Sequence, residues 1–260
     1  LTANVTFNGD QANITSLTGN LSTGGSLAVA GTVGIAPGSG FPAELTVTLT
    51  DATYVDGSLL AATASGTLTV TGPLAAGPTL GGSLILDKAS ITVPAKLPAS
   101  LSEINIKHRN PPAAVLRQAQ QIQPETTAGA SRPLALNLQI SAPNGVFVRG
   151  RGIDAELGGD LAIAGTAVAP QVSGAFEMRR GRIVILTKRL DFTSGRITFG
   201  GGLIPVLDLE ATTTSAQTAI TVNVTGMAND PHITFGSSPA LPQDEVLARL
   251  IFGQSMSRLS

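Results

Sequence analysis

The 260-residue chain carries a formal net charge of −1, and only 13% of its residues are charged, so no electrostatic pull toward nucleic acid exists. Aromatics make up 3%, with no Trp, and there is no cysteine; this removes stacking platforms for bases or sugars, disulfides, thiolate nucleophiles and cysteine zinc sites. The apolar content is aliphatic, 42% of residues at a mean hydropathy of +0.27, yet no run reaches the ~20 apolar residues that span a bilayer.

The chain opens on "LTANVTFNGD", already inside an alternating strand pattern and without an initiator Met, as expected of an internal or C-terminal piece of a longer protein. Alternation continues through "GSLAVAG" (25–31) and "ELTVTLT", where Leu45, Val47 and Leu49 share one face and Thr46, Thr48 and Thr50 the other. "GTLTVTG" (66–72) repeats the theme, and residues 1–106 form one segment of hairpin repeats. Between 107 and 133 the pattern fails: "KHRNPPAAVLRQAQQIQPETTAGASRP" is expected to be a loop or linker, disordered, with one or two helical turns at "AAVLRQAQQI". Strands resume over 134–240, with further copies at "GDLAIAG" (159–165) and "AITVNVTG" (219–226). After each closing Gly comes a Pro, at Pro37, Pro78, Pro170 and Pro231. Gly supplies positive φ for the turn, and Pro gives up an N–H that the ladder need not use. A degenerate hairpin repeat of this kind predicts an all-β, elongated, solenoid-like stack of strands rather than a compact sandwich.

Residues 241–253 are different in kind and predict a short amphipathic helix, followed by a tail at 254–260. Pro242 suits the first helical position, Asp244 and Glu245 the first turn, and Gly253 the position after the last. Val246, Leu247, Leu250 and Ile251 are spaced to share one face, with Phe252 beside them.

Signatures of catalysis are missing. No GxxxxGK[ST], HExxH, EF-hand loop or GxSxG occurs, so no catalytic residue, metal site or cofactor is assigned. His108 in the linker and His232 after "NDP" are read as structural or incidental. Asp208 and Glu210 in "LIPVLDLEATT" fall on one strand face ~7 Å apart, a spacing open to acid and base roles, but a solvated face accounts for them better. Arg149 and Arg151, with Arg179, Arg180 and Arg182, are the most basic patches. They suit lipid head groups or an acidic partner, and equally the blunting of exposed strands against aggregation. The Asn-x-Thr triplets at Asn13 and Asn223 follow from Asn/Thr alternation.

Three stretches, "VFVRGRGIDAELGGDLAIAGT" (146–166), "SGAFEMRRGRIVILTKRLDFTSGRITFGGGLIPVLDLEA" (173–211) and "VTGMANDPHITFGSSPALPQDEVLARLIFG" (224–253), together resemble the C-terminal domain of the TamB family of translocation and assembly proteins. Residues 1–106 resemble it in repeat pattern and composition. The resemblance implies a folded-over β groove, a β-taco, with an aliphatic interior. It implies a periplasmic location in a Gram-negative envelope, an inner-membrane anchor outside this chain, and a TamA-like, BamA-type outer-membrane barrel as partner. It implies movement of phospholipid to the outer membrane, or outer-membrane protein assembly and secretion, without catalysis.

Two mechanisms follow. In a lipid conduit, Val70, Leu84, Leu86, Leu161, Ile163, Ile183, Ile185, Ile220, Val222 and Val224 line the groove and shelter acyl chains, at ~0.8 kcal/mol per CH₂ kept from water. In an assembly scaffold, open strand edges pair with client outer-membrane proteins. A third possibility is a passive spacer whose aliphatic residues pack into an ordinary dry core. The terminal helix either caps the last strands or, through Val246, Leu247, Leu250, Ile251 and Phe252, docks on the barrel or the membrane surface.

Overall fold

A computed structural model describes residues 1–93, 133–185, 188–215 and 217–252, with Phe252 as backbone. The expected linker, residue 133 apart, the tail at 254–260 and His108 lie outside the described residues. The first six strands are β1 (Thr2–Asn8), β2 (Gln11–Asn20), β3 (Ser26–Gly34), β4 (Pro42–Asp56), β5 (Leu60–Pro73) and β6 (Thr79–Thr92). Seven follow: β7 (Ala135–Gly150), β8 (Ile153–Thr166), β9 (Ala169–Ile185), β10 (Lys188–Gly200), β11 (Val206–Ser215), β12 (Thr218–Met227) and β13 (Asp230–Ser238). One helix, α1 (Gln243–Phe252), comes last.

All thirteen strands belong to a single sheet in unbroken chain order, with β1 and β13 as its two edges. This is the elongated all-β stack that the repeats predict. Strands are longer than the five or so residues of a typical sheet: β4 to β10 run 13 to 17 residues each. Neighbours are antiparallel except β6 and β7, which are parallel. A parallel pair needs a crossover of a dozen or more residues, and the interruption in the strand pattern is long enough to supply one.

Hairpin connectivity creates two rims. The upper rim carries the connections after β1, β3, β5, β8, β10 and β12, and the lower rim the opposite strand ends. Between them the sheet is creased. Register shifts recur at mid-strand, at Leu49/Ala52, Thr63/Ala64, Ile85/Ala89, Ala142/Val146, Glu156/Leu157 and Phe192/Ser194. Each bulge bends its strand, and because the shifts fall side by side on successive strands they form one fold line. Polar bonds stitch it: the Asp51 N–H donates to Ser65 Oγ (3.0 Å), whose hydroxyl donates to Asp87 (3.1 Å). Gly158 permits a close approach there, since a Cβ would lie 2.2 Å from the Pro143 carbonyl oxygen.

The four repeat copies occupy β3, β5, β8 and β12, all running toward the upper rim. Their closing glycines Gly31, Gly72, Gly165 and Gly226 have φ between 85° and 136°, but they are strand residues and not turn residues: Gly31 pairs with Leu45, and a Cβ there would lie 2.1 Å from the Glu44 carbonyl oxygen.

Two buried clusters exist among the described residues. One follows the crease: Ala89, Ala142, Val146 and Leu157, flanked by Leu86, Phe176 and Met178. The other joins Leu190, Ala211, Ile220 and Val222 of the last strands to Val246 and Leu250 of α1.

Candidate functional site: the aliphatic inner face

Cross-strand partners share a face, so the register defines the inner surface without further assumption. One row runs Leu27, Leu49, Gly66, Leu84, Ile140, Leu161, Gly174 and Phe199 from β3 to β10. The next runs Leu17, Val29, Val47, Leu68, Gly82, Leu138, Ile163 and Val172 from β2 to β9. A third joins Leu45, Val70, Leu80 and Leu136. Threonines, serines and charged residues take the other face. Glycines within the rows leave gaps between the aliphatic side chains.

Coverage of this surface is incomplete. Every Leu, Ile and Val of these three rows from β3 to β8 is half-buried, intermediate between core and open surface. Among the described residues of β1–β6, the buried hydrophobics are the alanines Ala12, Ala43 and Ala89 alone. These rows thus stay half-exposed, where the facing residues of a sandwich core would be buried.

The ten residues assigned to the lining from sequence all fall on this face, but in two environments. Val70, Leu84, Leu86, Leu161, Ile163, Ile183, Ile185 and Val224 are half-buried, whereas Ile220 (0% exposed) and Val222 (3%) lie in the cluster under α1. Those two support the helix and present no open surface. The rows further supply Leu27, Val29, Leu45, Val47, Leu49, Leu68, Leu136, Leu138 and Ile140, which carry the same alternation.

Helix α1 rests on the inner face of β10–β13 at the lower rim. Val246 and Leu250, one turn apart, are buried, and so is Ala248. Leu247 is half-buried and Ile251 is 39% exposed, so the covered stripe is narrower than the four-residue face expected. Polar contacts fix its seat: Arg249 donates to Glu245 (2.7 Å) and to Thr218 Oγ1 (2.6 Å), and Ser215 Oγ donates to the Arg249 carbonyl (3.1 Å).

The remaining candidates are on the outer face. Asp208 stands opposite Arg196 and Thr225, and Glu210 accepts from Thr193 Oγ1 (2.7 Å); both belong to the polar surface. His232 is exposed on β13, opposite Thr225. The arginines form an ion-pair lattice: Arg149 and Arg182 share Asp154 (3.3 and 2.9 Å), and Arg180 meets Glu156 (2.6 Å). A shallow depression of about 450 Å³ lies among them. Among the described residues no group of His, Asp or Glu is placed to hold a metal ion, and no helix is long and apolar enough to cross a membrane.

A family model for the TamB C-terminal domain matches residues 15–260. The chain belongs to the TamB family. The match reaches well into the repeats that precede the three stretches quoted above, so the TamB domain includes both sides of the parallel junction. One curated TamB relative, the translocation and assembly module subunit TamB of Haemophilus influenzae, is 28% identical over 126 residues, which is 46% of this chain. The matched segment amounts to 10% of that relative's length.

Proposed function

We propose that the chain is a non-enzymatic stretch of a periplasmic conduit whose inner face carries phospholipid acyl chains between the inner and outer membranes. One observation supports this reading above the others: two of the aliphatic rows continue across seven strands or more, and their side chains are half-exposed from β3 to β8. A passive spacer would bury them in a closed core, because leaving aliphatic surface in water forgoes ~25 cal/mol per Å². An acyl chain laid along the rows supplies the missing layer and leaves its headgroup in water.

The proposal is tested with a photo-crosslinking residue placed at Leu68 or Leu161 on the inner face and at Thr67 or Ala162 on the outer face. Phospholipid adducts from the inner pair alone are the expected result. Protein adducts alone at Leu68 and Leu161 would overturn it.

A second reading rests on the edges. Both β1 and β13 have one unpaired side, and all seven residues of β1 are exposed. Unpaired edges template added strands, which suits a scaffold for outer-membrane protein assembly beside a TamA-like, BamA-type barrel. Successive N–H groups alternate sides, so one of Ile233 and Thr234 directs its N–H outward, and proline at that residue removes an edge donor of β13. Client assembly that survives both substitutions argues against the scaffold.

A further inference from the structure

Lysine and arginine are distributed unevenly. Residues 1–93 hold one, Lys88, against five carboxylates, whereas residues 149–189 hold seven. Five of these converge at the lower rim of β7–β10. Arg149, Asp154, Arg182 and Asp191 form one cross-strand row. Arg189 pairs in register with Val184, whose N–H donates to the Gly152 carbonyl (2.9 Å), bringing in the turn that carries Arg151.

These five cations face two carboxylates. Arg149 and Arg182 share Asp154, and Arg189 takes Asp191 at 2.8 Å. Arg151 and Lys188 have no ion pair or side-chain hydrogen bond among the described residues. Arg151 sits at a positive φ of 50° in a tight turn, which holds it out in solvent. Lys188 is unusual in another way. It alternates with buried Leu190 and pairs in register with Ile185, so it rises from the aliphatic face, the only Lys or Arg to do so among the described strand residues. A half-buried lysine in that position lays its methylenes on apolar neighbours and carries its ammonium to the rim.

The place matters as much as the charge. Half-buried aliphatic residues of the inner face reach Ile183 and Ile185 at the lower rim of β9, and these pack against the cluster in which α1 covers Leu190, Ala211 and Ile220. An acyl chain that reaches Ile183 and Ile185 therefore meets the covered cluster at the strands where the rim turns cationic. We infer that this rim, with Lys188 and Arg151 as its uncommitted cations, is a station for the phosphate of a phospholipid headgroup, holding it where the covered end stops the acyl chains. Arginine and lysine bind phosphate oxygens through charge-assisted hydrogen bonds, and the shared carboxylates leave that capacity unfilled. The inference rests on the acyl-carrying reading of the inner face.

The test separates the two. The 260-residue chain is incubated with phosphatidylcholine vesicles containing either phosphatidylglycerol or a diacylglycerol with the same acyl chains, and the lipid it extracts is quantified. Wild type is expected to take phosphatidylglycerol over diacylglycerol by about tenfold, the value of one charge-assisted hydrogen bond. In Lys188→Ala/Arg151→Ala that ratio falls to about one, and Lys188→Arg restores most of it. A wild-type ratio near one overturns the station but leaves the groove standing. Uptake of neither lipid overturns the groove itself. Inorganic phosphate that abolishes the ratio at micromolar concentration marks a free-phosphate site, and an acidic peptide that does so marks a protein-docking surface; either outcome overturns the headgroup assignment. Neither side chain makes an ion pair or side-chain hydrogen bond among the described residues, so the melting temperature is expected to stay nearly unchanged in Lys188→Arg/Arg151→Ala.

Discussion

Across β3–β6 the inner-face leucines and valines are half-exposed, and no Leu, Ile, Val or Phe of β1–β6 is buried. Across β10–β12 the same alternation puts Leu190 and Ile220 at 0% and Val222 at 3%. The strands do not differ in pattern: "GTLTVTG" in β5 and "AITVNVTG" in β12 are near-copies. What differs is the ten-residue helix laid over the second set. A period-two aliphatic strand thus specifies a face, and another element decides whether that face becomes core or stays half-exposed.

Charge introduced at the inner face breaks the comparison most sharply. Leu250→Asp buries an unpaired carboxylate between α1 and Ile220, and an unfolding loss of about 4 kcal/mol is expected. Leu68→Asp meets open space and should cost within about 1 kcal/mol while ending acyl capture. Urea denaturation of both variants decides. If Leu68→Asp destabilises as much as Leu250→Asp, the inner face is packed throughout and the lining does not exist. A milder pair follows. Ile220→Ala is expected to cost about 3 kcal/mol through a cavity that the helix and strands cannot close. Leu45→Ala, half-exposed already, should cost about 1 kcal/mol.

Much of this architecture is legible in the sequence because the evidence for it is local. Alternation fixes strands and their faces, the Gly and Pro positions fix the hairpins, and caps fix α1 to within two residues. The crease is harder to see, although it leaves a trace. Inner-face residues run Leu45, Val47, Leu49 and then Ala52, Tyr54; in β10 they run Leu190, Phe192 and then Gly195, Ile197. The change of parity is the bulge. It also explains "RIVIL", where both faces look apolar: Ile183 and Ile185 follow the parity set beyond the bulge and face inward, while Val184 faces out at 42% exposure. Which inward residues are covered was not legible. That depends on where α1 folds back, which puts Leu190 and Leu250, sixty positions apart, in one buried cluster. Lys188 was missed for a related reason: in "TKRLD" it is one of two adjacent cations, and only its alternation with a buried Leu190 separates it from Arg189.

The seat of the helix offers a finer test of why the two regions differ. Arg249 and Glu245 are shielded, with side chains 19% and 18% exposed, and Arg249 also reaches Thr218. Arg249→Met keeps the aliphatic stem but strands the Thr218 hydroxyl, and a loss of about 1 kcal/mol is expected. Hydrogen exchange should show that loss confined to β10–β13 and α1, with β3–β6 unchanged. Protection lost equally in both regions would mean that the sheet unfolds as one unit and that the covered end stabilises the open one.

The smallest effect is expected on the outer face. Arg180 meets Glu156 at 2.6 Å, but its side chain is 78% exposed. Exposed pairs of this kind contribute about 0.5 kcal/mol or less, since water screens the attraction and ordering two long side chains costs entropy. Arg180→Ala should therefore leave the denaturation midpoint almost unmoved, and so should raising the salt to 1 M. A larger loss is possible only if the lattice holds the crease closed, because Glu156 also accepts from the Gly145 N–H at 3.3 Å and so ties the arginine rows to the fold line. In that case Glu156→Gln, which keeps the acceptor but removes the charge, would reproduce the loss from Arg180→Ala. Two small effects instead mean that the bulges alone bend the sheet, and that the arginines of β7–β10 are free to serve what lies outside the chain.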